Sequence, residues 1–488
     1  MSDAGLSKAI EKMRTAGCSD AAMSNFAHYY RLAEAGASGL ILEDTIDPLT
    51  DPTKLADVTI APEDAAAAMR QLVVIRLNGG LGTSMGLDRA KNLLPVREGL
   101  TFFDLIVRQI QHARTEFGAR LPLIFMDSFR TDDDTVAFLS KYPDLAVGDL
   151  PITFLQNAEL KLLADTLEPV SWPEDPTLEW CPPGHGDLYT ALAGSGLLAK
   201  LLDHGFRYAL VANGDNLGAV PDPNLAGWFA STGAPYAAEV CTRTVNDRKG
   251  GHLAIRKSDQ QLVLRDSAQT SKEDEAAFAD ETRHPYFHCN NLWMDLRQVA
   301  DTLAARDGVL GLPLIRNAKT VDPANSATPK VLQLESAMGA AIEVFPGATA
   351  IAVPRSRFLP VKTTNELLLL RSDVYDLGPD GRLVQQTSEQ PEVDLDPRYF
   401  KLIDDFDERM AAVPSLREAE ALIVRGDVRF ADPVTIRGRV EITGPAQLAA
   451  LAAATRAECA ESLPPSNRTI LNADERRLIA EVPPHHGS

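Results

Sequence analysis

A continuous apolar run, Gln71-Leu-Val-Val-Ile-Arg-Leu77, opens directly into the loop Asn78-Gly-Gly-Leu-Gly-Thr-Ser-Met-Gly86. No other feature constrains the fold as much. A run of that length, rich in β-branched residues, is a strand buried on both faces, and such strands belong to parallel sheets covered by helices. Four glycines at its carboxyl end let backbone N–H groups turn toward one point, which makes a cradle for an anion. Two well-defined phosphate loops do not fit. A Walker A loop needs a lysine directly after a glycine, and none follows here. The dinucleotide fingerprint needs GxGxxG; Gly80 and Gly82 match, but Met85 stands at the third position and Gly86 comes one residue late. The bland alternative, a turn needing positive φ, accounts for one or two of these glycines rather than four.

Further strands are expected at Leu121–Met126, Ile152–Leu155 and Tyr208–Ala212, with helices over Phe102–Phe117 and Gly186–His204. Strands alternating with helices predict a mixed, mostly parallel sheet whose ligand lies at the strands' carboxyl ends. Residues 236–300 read as an antiparallel insertion. After about residue 385 the pattern changes: Ile423–Phe430 and Thr435–Ile442 align at a spacing of 12 residues, two hexapeptides, and suggest a β-helix or solenoid. Its expected inner face carries Val424, Val428, Phe430, Val434, Ile436, Val440 and Ile442. The expected organisation is a helical segment over 1–65, a catalytic domain over 66–385, and a solenoid with an Ala-rich helix and a loose tail over 386–488.

Charge and cysteine usage narrow the function. The 488 residues carry 68 acidic and 48 basic side chains, a net charge of −20. That balance is poor for a nucleic-acid surface, which needs clustered Lys and Arg, but a few buried cations can still hold a small anion. The five cysteines are scattered and form no CxxC pair, which argues against a disulfide framework or a structural zinc site and suits a reducing cytoplasm. The first residues lack the apolar core of a secretory signal, and no run of 18 apolar residues predicts a membrane span.

The loop LNGGLGTSMGLDRAK, Leu77 to Lys91, closely resembles that of the eukaryotic-type UTP–glucose-1-phosphate uridylyltransferase (UDP-glucose pyrophosphorylase) family. The resemblance continues in order through TFFDLIVRQI, FLQN, PPGHGDLYTAL, ANGDNLGA, KGGHLA, CNNLWMDL, LESAMGAAI and PRSRFLPVKTTNELLLLRSDVY, over roughly residues 70–380. It implies an α/β fold, a Rossmann-like nucleotidyltransferase core with a C-terminal β-solenoid appendage. It also implies transfer of the uridylyl group of UTP to glucose 1-phosphate, giving UDP-glucose and pyrophosphate with Mg²⁺ as cofactor. Self-association through the C-terminal region is expected as well, a dimer before larger assemblies. The sequence departs from the family at Asp88-Arg89-Ala90, where a Gly-Pro is usual, at Asn92 in place of Ser, and at Asp266 in place of Glu.

Two polyanions must meet in such a reaction, so the work is positioning and charge neutralisation. Lys91, just past the glycine loop, is placed to reach the triphosphate. Lys362, between Pro360 and apolar neighbours, is expected to be partly desolvated and, by resemblance, to neutralise charge as pyrophosphate forms. Arg355 and Arg357 lie close to it in sequence as candidate supports. Asp215, ending a buried strand in Asn-Gly-Asp-Asn, is the expected Mg²⁺ ligand. Leu77, Asn78, Gly79, Gly80, Asn213 and Gly214 are expected around the nucleotide, with Gln156 and Gly184 at the uracil. His185 is expected at the sugar phosphate; Gly251, Asp266, Asn290 and Asn291 are candidates for the sugar hydroxyls. His204, His252, His284 and His288 lack metal spacing and carry no assigned role. The alternatives are the same chemistry on galactose or N-acetylglucosamine 1-phosphate, and an inactive sensor of uridine nucleotides; a redox dehydrogenase fails on the fingerprint.

Overall fold

Leu72–Leu77 is a strand, and its Leu72, Val73, Val74 and Ile75 are all fully buried, as the apolar run predicts. It lies inside a sheet of eight strands: β1 (Thr53–Lys54), β2 (Leu72–Leu77), β3 (Leu123–Asp127), β4 (Thr153–Leu155), β5 (Tyr208–Asn213), β6 (Tyr236–Thr242), β7 (Tyr286–Asp295) and β8 (Thr349–Ala352). Their spatial order is β1-β8-β6-β7-β5-β2-β3-β4. Among them β7 alone runs antiparallel to its neighbours β5 and β6. The other pairs are parallel, so the sheet is mixed and mostly parallel. The computed structural model behind this description covers residues 2–244, 247 and 250–462. The expected loose tail from residue 463 lies outside the described residues.

Helices cover both faces. Val73, Ile75, Ile124, Met126, Ala209 and Val211 share one core with Phe26, Tyr29 and Tyr30, which lie on the N-terminal helix α2 (Asp20–Glu34) that follows α1 (Ser2–Thr15). On the opposite face, Phe103 meets Phe125 edge-on at 5.1 Å. Phe103 belongs to α3 (Phe102–Phe117), which starts at a capping box between Thr101 and Asp104 and stops at Gly118, φ 58°. The expected helix over Gly186–His204 is two helices, Leu188–Gly194 and Leu197–Asp203, broken at Gly196 with φ 75°.

Three sequence expectations are corrected. Residues 236–300 are not an insertion beside the sheet, because β6 and β7 are two of its inner strands; between them His252–Arg256 and Leu262–Arg265 form a separate three-stranded sheet with Ile46–Pro48. Residues 1–65 form no separate domain. The chain divides into one compact unit of residues 1–82, 87–360 and 377–383 and a second of 83–86, 361–376 and 384–488, so the second begins at Val361 rather than at 386. In that second unit β9 (Glu392–Leu395), β10 (Ser415–Val424) and β11 (Thr435–Ile442) form a parallel sheet. The 12-residue alignment is not its register: Leu395 pairs with Val424, and Val424 with Ile442. Asp427–Phe430 is outside the ladder, although Val428 and Phe430 are fully buried. The expected Ala-rich helix is α4 (Pro445–Ser462). No helix among the described residues is long and apolar enough to cross a membrane.

Candidate active site

Four neighbouring strands of the first unit end at the same edge. Beyond three of these ends the backbone makes one more inter-strand bond: Asn78 N–H donates to Met126 O, Gln156 N–H to Asp127 O and Gly214 N–H to Leu77 O, each at 2.8 Å. Residues separated in sequence are thereby fixed side by side around a cleft of about 380 Å³. Leu77, Asn78, Gly79, Gly80, Gln156, Gly184, Asn213, Gly214 and Asp215, the whole expected nucleotide set, line it together with Lys91 and His185. Leu81, Asn92, Met126 and Pro182 also line it without having been expected there.

Close approach, more than positive φ, explains Gly79 and Gly214, whereas a Cβ on Gly80 would meet nothing within 4 Å. A Cβ on Gly79 would stand 2.7 Å from Gln156 Nε2, and one on Gly214 only 2.3 Å from Asn92 Nδ2. Of the four loop glycines only Gly86 has positive φ. Among the described residues the buried Asn92 Nδ2 has no hydrogen-bond partner. Its spacing from Lys91 carries no signal, since one residue over would fit a surface turn equally well.

Charge is concentrated at one point: Lys91 Nζ lies 2.6 Å from Asp215 Oδ2. Beneath the turn that carries Asp215, the fully buried Arg76 donates to the carbonyls of Asn216 at 3.0 Å and Ala219 at 2.6 Å, and burial lowers its pKa to about 9. Under the glycine loop, Asp127 accepts from Asn78 Nδ2 and from Thr135 Oγ1 at 2.5 and 2.9 Å, and burial pushes its carboxyl up to about 7. His185 Nδ1 accepts the Met338 N–H at 2.9 Å, while burial lowers the imidazole pKa and the nearby Asp266 partly opposes it. A neutral ring bonded in this way carries its proton on Nε2 and presents a donor.

The sugar candidates separate. A Cβ on Gly251 would lie 3.4 Å from Asp266 Oδ2, and Gly251 O accepts from His288 N–H, so these residues form one cluster. Asn290, with φ 56°, donates from its amide to Asn213 Oδ1 at 3.0 Å and so touches the lining of the cleft. Asn291 is fully buried elsewhere: it donates to Glu239 and Arg357 O and accepts from Asn216. Arg357 is buried against both oxygens of Glu239 at 2.7 Å, and Arg355 pairs with Asp247 at 2.6 Å, so both arginines have structural partners. Lys362 belongs to the second unit and is exposed rather than desolvated; its neighbour Val361 takes the buried position.

The family model described as UTP–glucose-1-phosphate uridylyltransferase matches residues 23–437. The chain belongs to this family. A uridylyltransferase of that name from Solanum tuberosum is 38% identical over 395 residues, covering 80% of each chain. One from Saccharomyces cerevisiae is 37% identical over 418 residues, covering 85% of this chain and 82% of the relative. Among solved structures, a mutant UDP-glucose pyrophosphorylase from Leishmania major in complex with UDP-glucose superposes with a TM-score of 0.86 at 42% identity, covering 90% of this chain and 94% of that one. A UDP-glucose phosphorylase from Trypanosoma brucei gives 0.83 at 41%, covering 91% and 97%. Membership makes this chain a nucleotidyltransferase.

Proposed function

We propose that the cleft binds UTP and that the protein transfers its uridylyl group to glucose 1-phosphate. The observation that carries the reading is the convergence of the whole nucleotide set with Lys91, Asp215 and His185 on one cleft. One oxygen of the sugar phosphate attacks the α-phosphorus of UTP in line. The bond from that phosphorus to the oxygen bridging to the β-phosphate breaks, and pyrophosphate leaves with the electron pair. Lys91 holds triphosphate charge, and Gln156 and the Gly184 backbone read the uracil. The His185 Nε2–H donates to the sugar phosphate. Gly251, Asp266 and Asn290 meet sugar hydroxyls, whereas Asn291 serves the fold. Lys362 has the role the resemblance gives it, charge neutralisation as pyrophosphate forms.

The donor set fits magnesium in one form. Among the described residues no three His, Cys, Asp or Glu side chains gather as a metal cage, and Asp215 is a single carboxylate in the cleft. Mg²⁺ takes one or two carboxylates and completes its shell with phosphate oxygens and water, so Asp215 would hold it as part of a magnesium–nucleotide complex. When bound, the ion adds positive charge where the phosphates accumulate negative charge.

A coupled pyrophosphate-release assay over a matrix of nucleoside triphosphates and sugar 1-phosphates tests the reading. Turnover with UTP and glucose 1-phosphate well above every other pair is expected. Equal turnover of UTP and dTTP would count against a tight base and ribose site. Preference for galactose or N-acetylglucosamine 1-phosphate would move the assignment to another sugar, and no turnover with any pair would favour a nucleotide sensor. Two further readings complete the proposal. The parallel strands β9–β11 form a short solenoid, since the step from Val424 to Ile442 is one coil of three hexapeptides, and this region mediates self-association. The protein works in the cytoplasm, a reading supported by the free thiols of Cys18, Cys181, Cys241 and Cys289.

A further inference from the structure

Asp187 is almost fully buried, and no step of the reaction uses it. Its carboxylate accepts three hydrogen bonds from one residue: the backbone N–H of Asn157 at 2.6 Å and the Asn157 side-chain amide at 2.9 and 3.1 Å. Asn157 directly follows Gln156. Asp187 itself closes the tight turn that begins at Gly184, donating its N–H to Gly184 O at 3.2 Å. One carboxylate therefore ties together the two segments that present Gln156 and Gly184 to the cleft. The remaining sides of both segments are already fixed. Gln156 N–H is held by Asp127 O, and its amide lies against Gly79. The Gly184 turn is locked on Ser336, whose O accepts from Gly186 N–H at 2.8 Å and whose N–H donates to Pro183 O at 3.1 Å. Farther from the cleft the two segments pair as strands, Glu159–Leu160 with Trp180–Cys181; beside Gln156 and the Gly184 turn the Asp187–Asn157 contact joins them.

We propose that Asp187 is a positioning residue for base recognition, holding Gln156 and the Gly184 backbone at the separation a uracil needs. The proposal rests on the reading that these two groups meet the base. The donors it binds are a neutral N–H and an amide, so its carboxylate works as a brace rather than as half of an ion pair. Burial pushes this carboxyl up to about 7, and the titratable groups facing it are Glu159, on the segment after Asn157, and Tyr29 of α2. Hydrogen bonds to a charged group are among the stronger ones, so their loss should be visible in binding.

The test compares Asp187→Ala, Asp187→Asn and Gln156→Ala with the unchanged protein, using UTP and CTP as competing substrates. Asp187→Ala is expected to raise KM for UTP about tenfold and to lower the kcat/KM preference for UTP over CTP by a similar factor. The kcat at saturating UTP and the KM for glucose 1-phosphate should stay within about twofold. Asp187→Asn keeps one acceptor for the Asn157 N–H and should fall between the two, which a general loosening of the fold would not produce. If Asp187→Ala does not fold, Asp187→Asn decides alone through the same ratio. Unchanged KM and unchanged preference in the folded Asp187 variants, with Gln156→Ala losing preference, would overturn the inference and leave the base-reading role intact. Full preference retained in Gln156→Ala would overturn that role and the inference with it.

Discussion

Lys362 is exposed, and the residue after it begins a self-contained cap: Thr363 N–H and Oγ1 donate to Glu366 at 2.7 Å, and Asn365 N–H donates to Thr363. Lys362→Ala therefore leaves the local fold intact, and its effect on rate reads as chemistry. We expect kcat to fall by on the order of 10²–10³, the loss typical of one charge partner in a transition state, with KM for UTP little changed; near-normal kcat in steady-state assays would remove the role. Asp127 gives a pH prediction. Its folded pKa, about 7, lies above the ordinary carboxyl value of 3.8 because burial disfavours the charge. The folded state thus holds the proton more tightly, so this contribution to stability is present at low pH and is lost as pH rises through about 7. Urea unfolding between pH 5 and 8 should show stability falling with pH, by at most ~1.4 kcal/mol per pH unit for one proton. Asp127→Asn, which keeps an acceptor for Asn78, should make that slope shallower by its one proton, leaving the part that the likewise raised Asp187 contributes, and an unchanged slope would refute the assignment. Part of the cleft lining was readable because Asn78, Gly79, Gln156, Gly214 and Asp215 follow a strand end by one or two positions. Arg357 was not, because its partner Glu239 is remote in sequence and no local spacing announces it.

Among elements, β7 shows where a single sequence is ambiguous. Tyr286–Asp295 reads as a strand, but its two neighbours, β5 and β6, both precede it in the chain, and nothing in its composition says that it pairs with both. An antiparallel pair inside a mixed sheet therefore looks like a hairpin beside it. The register shift opposite Ala238–Val240 adds to this, since a bulge changes which face each residue of the bulged strand takes. It also separates the fates of Asn290, directed to Asn213, and Asn291, buried with Glu239. Helix α3 was readable to the residue, because its capping box and its C-terminal glycine are local signals. The β7 assignment yields a paired prediction. Asn291→Ala leaves Glu239, Asn216 and the Arg357 carbonyl each short of a partner in the core, so it should cost about 2–4 kcal/mol in denaturant unfolding. Asn290→Ala should cost far less stability and instead raise KM for glucose 1-phosphate. The reverse pattern would exchange the roles of the two asparagines.

For the whole molecule, the open question is what the edges of the C-terminal sheet do. Strand β9 lies at one edge and β11 at the other, and an uncovered edge pairs readily with another chain. The β11 side is partly covered: α4 packs against that strand, burying Leu448 and Ala452, and Thr435 N–H donates to Thr455 Oγ1 at 2.9 Å. The expected inner face is buried as well, apart from the half-buried Val440. Two truncations should then act in opposite directions. Ending the chain after Ile442 removes α4 and exposes β11, so assemblies should grow or aggregate with concentration. Ending it before Ser415 removes β10 and β11 together, so the self-association assigned to this region should disappear. Light scattering across a concentration series measures both. Identical masses for the full chain and the shorter truncation would refute an assembly role for the C-terminal sheet. No growth on removing α4 would show that β11 is not the associating edge and leave β9. Activity supplies an independent arm, because the shorter truncation keeps every residue of the cleft and also Lys362. A folded monomer that still turns over UTP would separate assembly from catalysis, whereas a folded but inactive monomer would show that the C-terminal sheet supports the chemistry as well as the contact.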